Sequence, residues 1–65
     1  MPVITIDGPA MSLEKKERLA KEITKLTSEI TTIPEEAFVI LFNEYPYESM
    51  AQGGILISEK LKNMK

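Results

Sequence analysis

Ala37-Phe38-Val39-Ile40-Leu41-Phe42, closed by Asn43-Glu44, is a continuous apolar run with no polar face. Such a run reads as a strand covered on both sides. Just before it, Pro34-Glu35-Glu36 makes one short turn. Thr32-Ile33-Pro34 ends a helix, because the residue before proline avoids the α region. That helix runs from Leu13 to about Thr31. Leu19, Ile23, Leu26 and Ile30 fall on one stripe at helical spacing, widened by Ala20 and Thr27. Ser12 is placed to cap it, and Glu14 lies in the first turn facing the helix dipole. Glu14 with Arg18, and Glu17 with Lys21, form i,i+4 pairs on its wet face.

Further back, Pro2-Val3-Ile4-Thr5-Ile6-Asp7 is rich in β-branched residues and reads as a strand. Proline suits its first position, where no N–H is needed for pairing. Gly8-Pro9 breaks it, and Ala10-Met11 completes a short loop. Forward of the apolar run, Tyr45 to Gln52 reads as irregular. Gly53-Gly54 permits a tight turn, Ile55-Leu56-Ile57 reads as a third short strand, and Ser58 to Lys65 as a polar tail opening with a helical turn. No internal repeat or second domain is visible, so residues 1–65 form a single domain.

Strand, long helix and strand make a β-α-β unit of the α+β class. Its strands are parallel, its crossover is right-handed, and a short C-terminal hairpin or strand follows. One helix covers only one face of such a sheet, and two strands alone are marginal. The other face therefore needs a second copy of the chain, which makes this a homo-oligomer. Size argues the same way. The chain has 65 residues, 43% of them hydrophobic and 28% charged, and neither Cys nor His. A domain of about 60 residues buries only ~60% of its unfolded surface. Disulfides and a zinc site are not available to support it.

The same composition excludes a Ser-His-Asp triad and a Cys-His pair. A net charge of −2 argues against a nucleic-acid partner. No apolar run is long enough to span a membrane, and the amino terminus has no signal pattern, so the cytoplasm is the expected location. Gly53-Gly54 lacks the spacing of a phosphate loop, no metal constellation is present, and Glu35-Glu36 reads as solvated. The remaining feature is Pro2. Once Met1 is removed, Pro2 carries a free secondary amine. A terminal amine titrates near ~8 in model peptides. Burial in an apolar pocket disfavours its charged form and lowers that value, leaving a neutral base at pH 7. The plainer reading is that a proline at position 2 only reports processing of Met1.

The order and spacing of these features resemble the 4-oxalocrotonate tautomerase family over essentially the whole chain. The likeness runs through Met1-Pro2, then Ser12, Glu14, Lys16, Glu17 and Leu19, and Pro34 before the second strand. It ends in the stretch from Asn43 to Gly54, which is similar to the family's Glu-x-Pro-x-x-Asn-Trp-x-x-Gly-Gly. The resemblance implies a homohexamer built as a trimer of dimers. It also implies catalysis without a cofactor or metal, on a small enol or keto substrate, with Pro2 as the proton carrier.

It further implies that Met11, Val39 and Met50 line the pocket. Met11 and Val39 occupy positions where members acting on dienol dicarboxylates carry arginines, and Met50 stands where the family has an aromatic. Ser49 replaces the preceding Asn. Methionine and valine cannot imitate a bidentate arginine contact, so a less charged substrate is expected. Two other readings stand beside this one. In one, the protein is a non-catalytic oligomer that retains the fold. In the other, a hydratase or dehalogenase uses a protonated Pro2. Phe38 and Phe42 read as core. Tyr45 and Tyr47 offer hydroxyls or subunit contacts, and Lys15, Lys16 and Arg18 read as solvated helix surface.

Overall fold

A computed structural model describes residues 1–63. Strand β1 (Val3–Gly8) leads into helix α1 (Leu13–Thr31), a 3-10 turn (Glu35–Ala37) and strand β2 (Val39–Glu44). A second 3-10 turn (Tyr47–Ser49) precedes the two-residue strands β3 (Ala51–Gln52) and β4 (Ile55–Leu56), and helix α2 (Ile57–Lys62) follows. β1 and β2 pair in parallel, from Val3 opposite Val39 to Gly8 opposite Glu44. This is the expected β-α-β unit. β3 and β4 form a separate antiparallel hairpin.

Local chemistry sets the boundaries of α1. The Ser12 hydroxyl accepts the Lys15 N–H at 3.2 Å, which satisfies one of the free donors of the first turn. At the other end Thr32 takes a left-handed conformation, with φ 61°, and donates its N–H to the Ser28 carbonyl at 2.9 Å. The Ser28 hydroxyl bonds back to the Ile33 carbonyl at 2.6 Å, holding the exit before Pro34. On the outer surface Arg18 pairs with Glu22 at 3.3 Å rather than with Glu14. Neither expected pair, Glu14 with Arg18 or Glu17 with Lys21, is among the ion pairs of the described residues. Exposed charges one turn apart exchange partners for almost no energy, so spacing alone does not select between them.

Several boundaries differ from the sequence reading. Gly8 completes β1 instead of breaking it. The stretch from Tyr45 to Gln52, expected to be irregular, contains a 3-10 turn and one arm of the hairpin. Gly53 and Gly54 both have positive φ, 61° and 84°, as a two-residue turn with the twist of its strands requires. Ile57 belongs to α2 and not to the third strand, and the tail is helical to Lys62. Its last two positions, 64 and 65, lie outside the described residues.

Alternation sorts the sheet into two unequal faces. Ile4 and Ile6 on β1, with Ile40 and Phe42 on β2, are half-buried on one face. Leu19, Ala20 and Ile23 of α1 are half-buried to match. The other face carries Val3, Thr5, Val39 and Leu41, where Val3 is 52% and Leu41 48% exposed. Thr5 is polar, and so is the far end of this face, where the Asn43 amide donates to the Asp7 carboxylate at 2.8 Å. The apolar run of β2 is therefore covered on one side only within a single chain.

No side chain among the described residues is fully buried, and Phe42, expected in a core, is half-buried. The radius of gyration is 15.5 Å, against about 11 Å for a compact chain of this length. The exposed surface is 5304 Å², against roughly 4,200 Å² for a compact monomer of this mass.

One polar contact fixes the loop between β1 and α1. Glu44, the last residue of β2, accepts the Met11 N–H at 2.8 Å through Oε2 and the Lys16 ammonium at 3.1 Å through Oε1. The Met11 N–H, and then Lys16, hold the Glu44 carboxyl below the usual glutamate range. A depressed carboxyl stabilises the fold above its unfolded pKa, and the effect is lost as pH falls through the folded value.

Two outcomes are expected. Thr32→Gly relieves a β-branched residue in the left-handed region and stabilises the protein by about 1 kcal/mol, raising the thermal midpoint. On acidification, the Met11 amide proton resonance shifts with a midpoint below that of an ordinary glutamate. In Glu44→Gln this titration disappears.

Candidate active site

Pro2 immediately precedes β1 and is half-buried, while Met1 is largely exposed. The Pro2 carbonyl accepts the Val39 N–H at 3.0 Å, which anchors the start of β1 to the start of β2. Carrying the strand register back one residue sets Pro2 beside Phe38, also half-buried. While Met1 is attached, the Pro2 nitrogen is an amide with no basic lone pair. Freed of Met1, the same atom is a secondary amine at the head of β1.

Of the expected pocket residues, only Val39 is brought to Pro2. Met11 closes the loop after β1, at the other end of the sheet. Six residues of strand at ~3.3 Å each separate that end from Pro2, a distance of ~20 Å. Met50 follows the second 3-10 turn, beyond the end of β2. Its carbonyl accepts the Ile57 N–H at 2.8 Å, so it belongs to the hairpin arm. Pro2 and Val39 thus lie at the head of the sheet, and Met11 and Met50 each lie past its foot. No cavity is formed among the described residues, and no cluster of metal-ligating side chains occurs among them. A pocket containing all four residues requires the head of one copy to meet the foot of another.

Tyr45 and Tyr47 are exposed on the arm, 42% and 44%, and Tyr45 is held by its N–H to the Gly8 carbonyl at 2.9 Å. Lys16 corrects the sequence reading. It is half-buried and paired with Glu44, not part of the solvated helix surface. A partner 28 residues away has no signature in local spacing. Lys15 and Arg18 are exposed, as expected.

Comparison with known proteins gives a consistent result. A family model described as "Tautomerase enzyme" matches residues 2–60. A search of curated sequences gives no match. Among solved structures, DmpI from Archaeoglobus fulgidus is 33% identical, covering 88% of this chain and 98% of that one, with a TM-score of 0.81. TomN, a 4-oxalocrotonate tautomerase homologue of the tomaymycin biosynthetic pathway, is 23% identical, covering 98% and 100%, with a TM-score of 0.92. A heterohexameric 4-oxalocrotonate tautomerase from Chloroflexus aurantiacus is 23% identical, covering 91% and 97%, with a TM-score of 0.83. The fold is shared over most of the chain with these proteins, and the chain belongs to the tautomerase family, among the homologues of 4-oxalocrotonate tautomerase.

Proposed function

We propose that this protein is a cofactor-independent tautomerase in which Pro2, freed of Met1, moves a proton between enol and keto forms. The observation that carries the reading is the position of Pro2. It is half-buried at the head of β1, hydrogen-bonded to β2, at the first residue of the family match. The neutral amine takes the enol O–H proton, and the oxygen's electron pair forms the carbonyl. The prolinium then returns a proton to carbon as the double bond's electrons reach for it. The amine is restored and no cofactor is consumed.

The pocket is shared between copies of the chain. The bare face of Val3, Thr5, Val39 and Leu41 is the surface that a second copy covers. The separation of Pro2 from Met11 and Met50 is what such a contact closes. Six copies, as a trimer of dimers, form the assembly, and the heterohexamer named for the Chloroflexus protein supports that number. Assembly also dries the amine, and drying lowers its pKa toward neutrality. Met11, Val39 and Met50 give the pocket apolar walls without a bidentate cation. The substrate is an enol less charged than a dienol dicarboxylate, of the phenylenolpyruvate kind. The cytoplasm is the compartment where it acts. No helix among the described residues is long and apolar enough to cross a membrane.

A specific observation keeps a non-catalytic reading in view, namely the two methionines and one valine where the family's arginines and aromatic stand. The test separates the two readings. With phenylenolpyruvate enol as probe, the Met-free protein ketonises it, and Pro2→Ala lowers kcat/KM by about 10²-fold or more. NMR titration of the Pro2 amine gives a pKa below that of an ordinary prolyl amine, and kcat/KM falls as pH drops through it. An inert Met-free protein, or a Pro2→Ala variant of undiminished activity, contradicts the proposal.

A further inference from the structure

Glu44 grips the β1–α1 loop from across the sheet. It stands opposite Gly8 in the ladder. Its neighbour Tyr45 donates its N–H to the Gly8 carbonyl at 2.9 Å, fixing the start of the loop. Its own Oε2 accepts the Met11 N–H at 2.8 Å, fixing the end. The second oxygen, Oε1, is held at 3.1 Å by Lys16, one turn into α1. Only Pro9 and Ala10 lie between the two fixed points. Three elements therefore meet at one carboxylate, and what they determine is the place of the Met11 backbone.

The energetics favour a positional role. The Lys16 and Glu44 side chains keep 28% and 31% exposure, and ion pairs this accessible contribute little to stability. Met11 itself has three rotatable bonds and no branch, so its side chain adapts to whatever it touches. A wall made of such a residue has a defined position only if its backbone does. Glu44 provides that, with one oxygen for the amide and the other anchored by the ammonium.

We propose that Glu44 is a positioning residue for substrate binding. It sets the Met11 backbone, and through it the apolar wall offered to the substrate, while Lys16 holds the carboxylate in the required orientation. The inference rests on the reading of the chain as a tautomerase whose pocket includes Met11.

Steady-state kinetics with phenylenolpyruvate enol on the assembled, Met-free protein tests it. Glu44→Ala raises KM about tenfold with kcat within about twofold, the pattern of lost uniform binding. Glu44→Gln keeps an acceptor for the Met11 N–H and recovers most of that loss. In a Met11→Ala background, Glu44→Ala changes KM by less than about twofold, because the side chain through which it acts is gone. Full additivity of the two substitutions, an unchanged KM in Glu44→Ala, or a loss confined to kcat overturns the inference. An inactive wild type sinks the tautomerase reading and this inference together. An active wild type with an indifferent Glu44→Ala variant sinks this inference alone.

Discussion

The parallel ladder between β1 and β2 carries apolar side chains on both faces and is covered on one, and this imbalance governs the molecule. Helix α1 shields Ile4, Ile6, Ile40 and Phe42. Val3, Val39 and Leu41 are left facing outward on a two-stranded sheet with both edges free. A sheet of two strands has little stability of its own. Lengthening the helix does not help, because a helix on one side cannot reach the other. No element among the described residues covers the other face, and the extended shape, with an arm beyond the end of β2, suits contact with neighbours rather than closure on itself.

The same imbalance underlies the proposed role of the amino terminus. A terminal amine in water is charged at neutral pH and of little use as a base. Pro2 lies at the edge of the covered face, half-shielded by its own chain and next to the bare surface. In the proposed assembly, a copy that covers that surface would also remove water from the amine. That proposal links folding, assembly and base strength through one layer of apolar side chains. The pocket positions follow the same division. Val39 travels with Pro2, whereas Met11 and Met50 lie at the opposite end. The polar tie of Glu44 to Met11 and Lys16 gives that far end a fixed geometry to present.

Local signals carried far in this chain. Ser12 and Ile33-Pro34 bracket α1 because capping and the constraint before proline act within a few residues. Gly53-Gly54 marks the hairpin turn because only positive φ at both positions closes it without strain. The apolar run of β2 and the β-branched β1 identify the parallel pair. What stayed hidden depends on partners distant in sequence or nearly equal in energy. The Glu44–Lys16 contact joins residues brought together only by the finished β-α-β unit. Arg18 chose Glu22 over Glu14 among exposed partners of similar worth. Thr32 adopts a conformation that its residue type disfavours, held there as its N–H donates to the Ser28 carbonyl and the Ser28 hydroxyl donates to the Ile33 carbonyl. The hairpin's first strand, Ala51–Gln52, is two residues long and has no pattern of its own. Of the candidate site, the place of Pro2 at the head of the first strand was legible from the sequence. The separation of Met11 and Met50 from it became visible only with the sheet's register.

The central claim is that a single copy of this chain is too open to stay folded, and that neighbouring copies complete it. Sedimentation equilibrium of the full chain over a wide dilution range, with far-UV circular dichroism recorded on the same samples, addresses it directly. Helical signal and assembly should be lost together at the same concentration, leaving an unfolded monomer. A monomer that keeps its full helical signal and unfolds cooperatively on heating would contradict the claim.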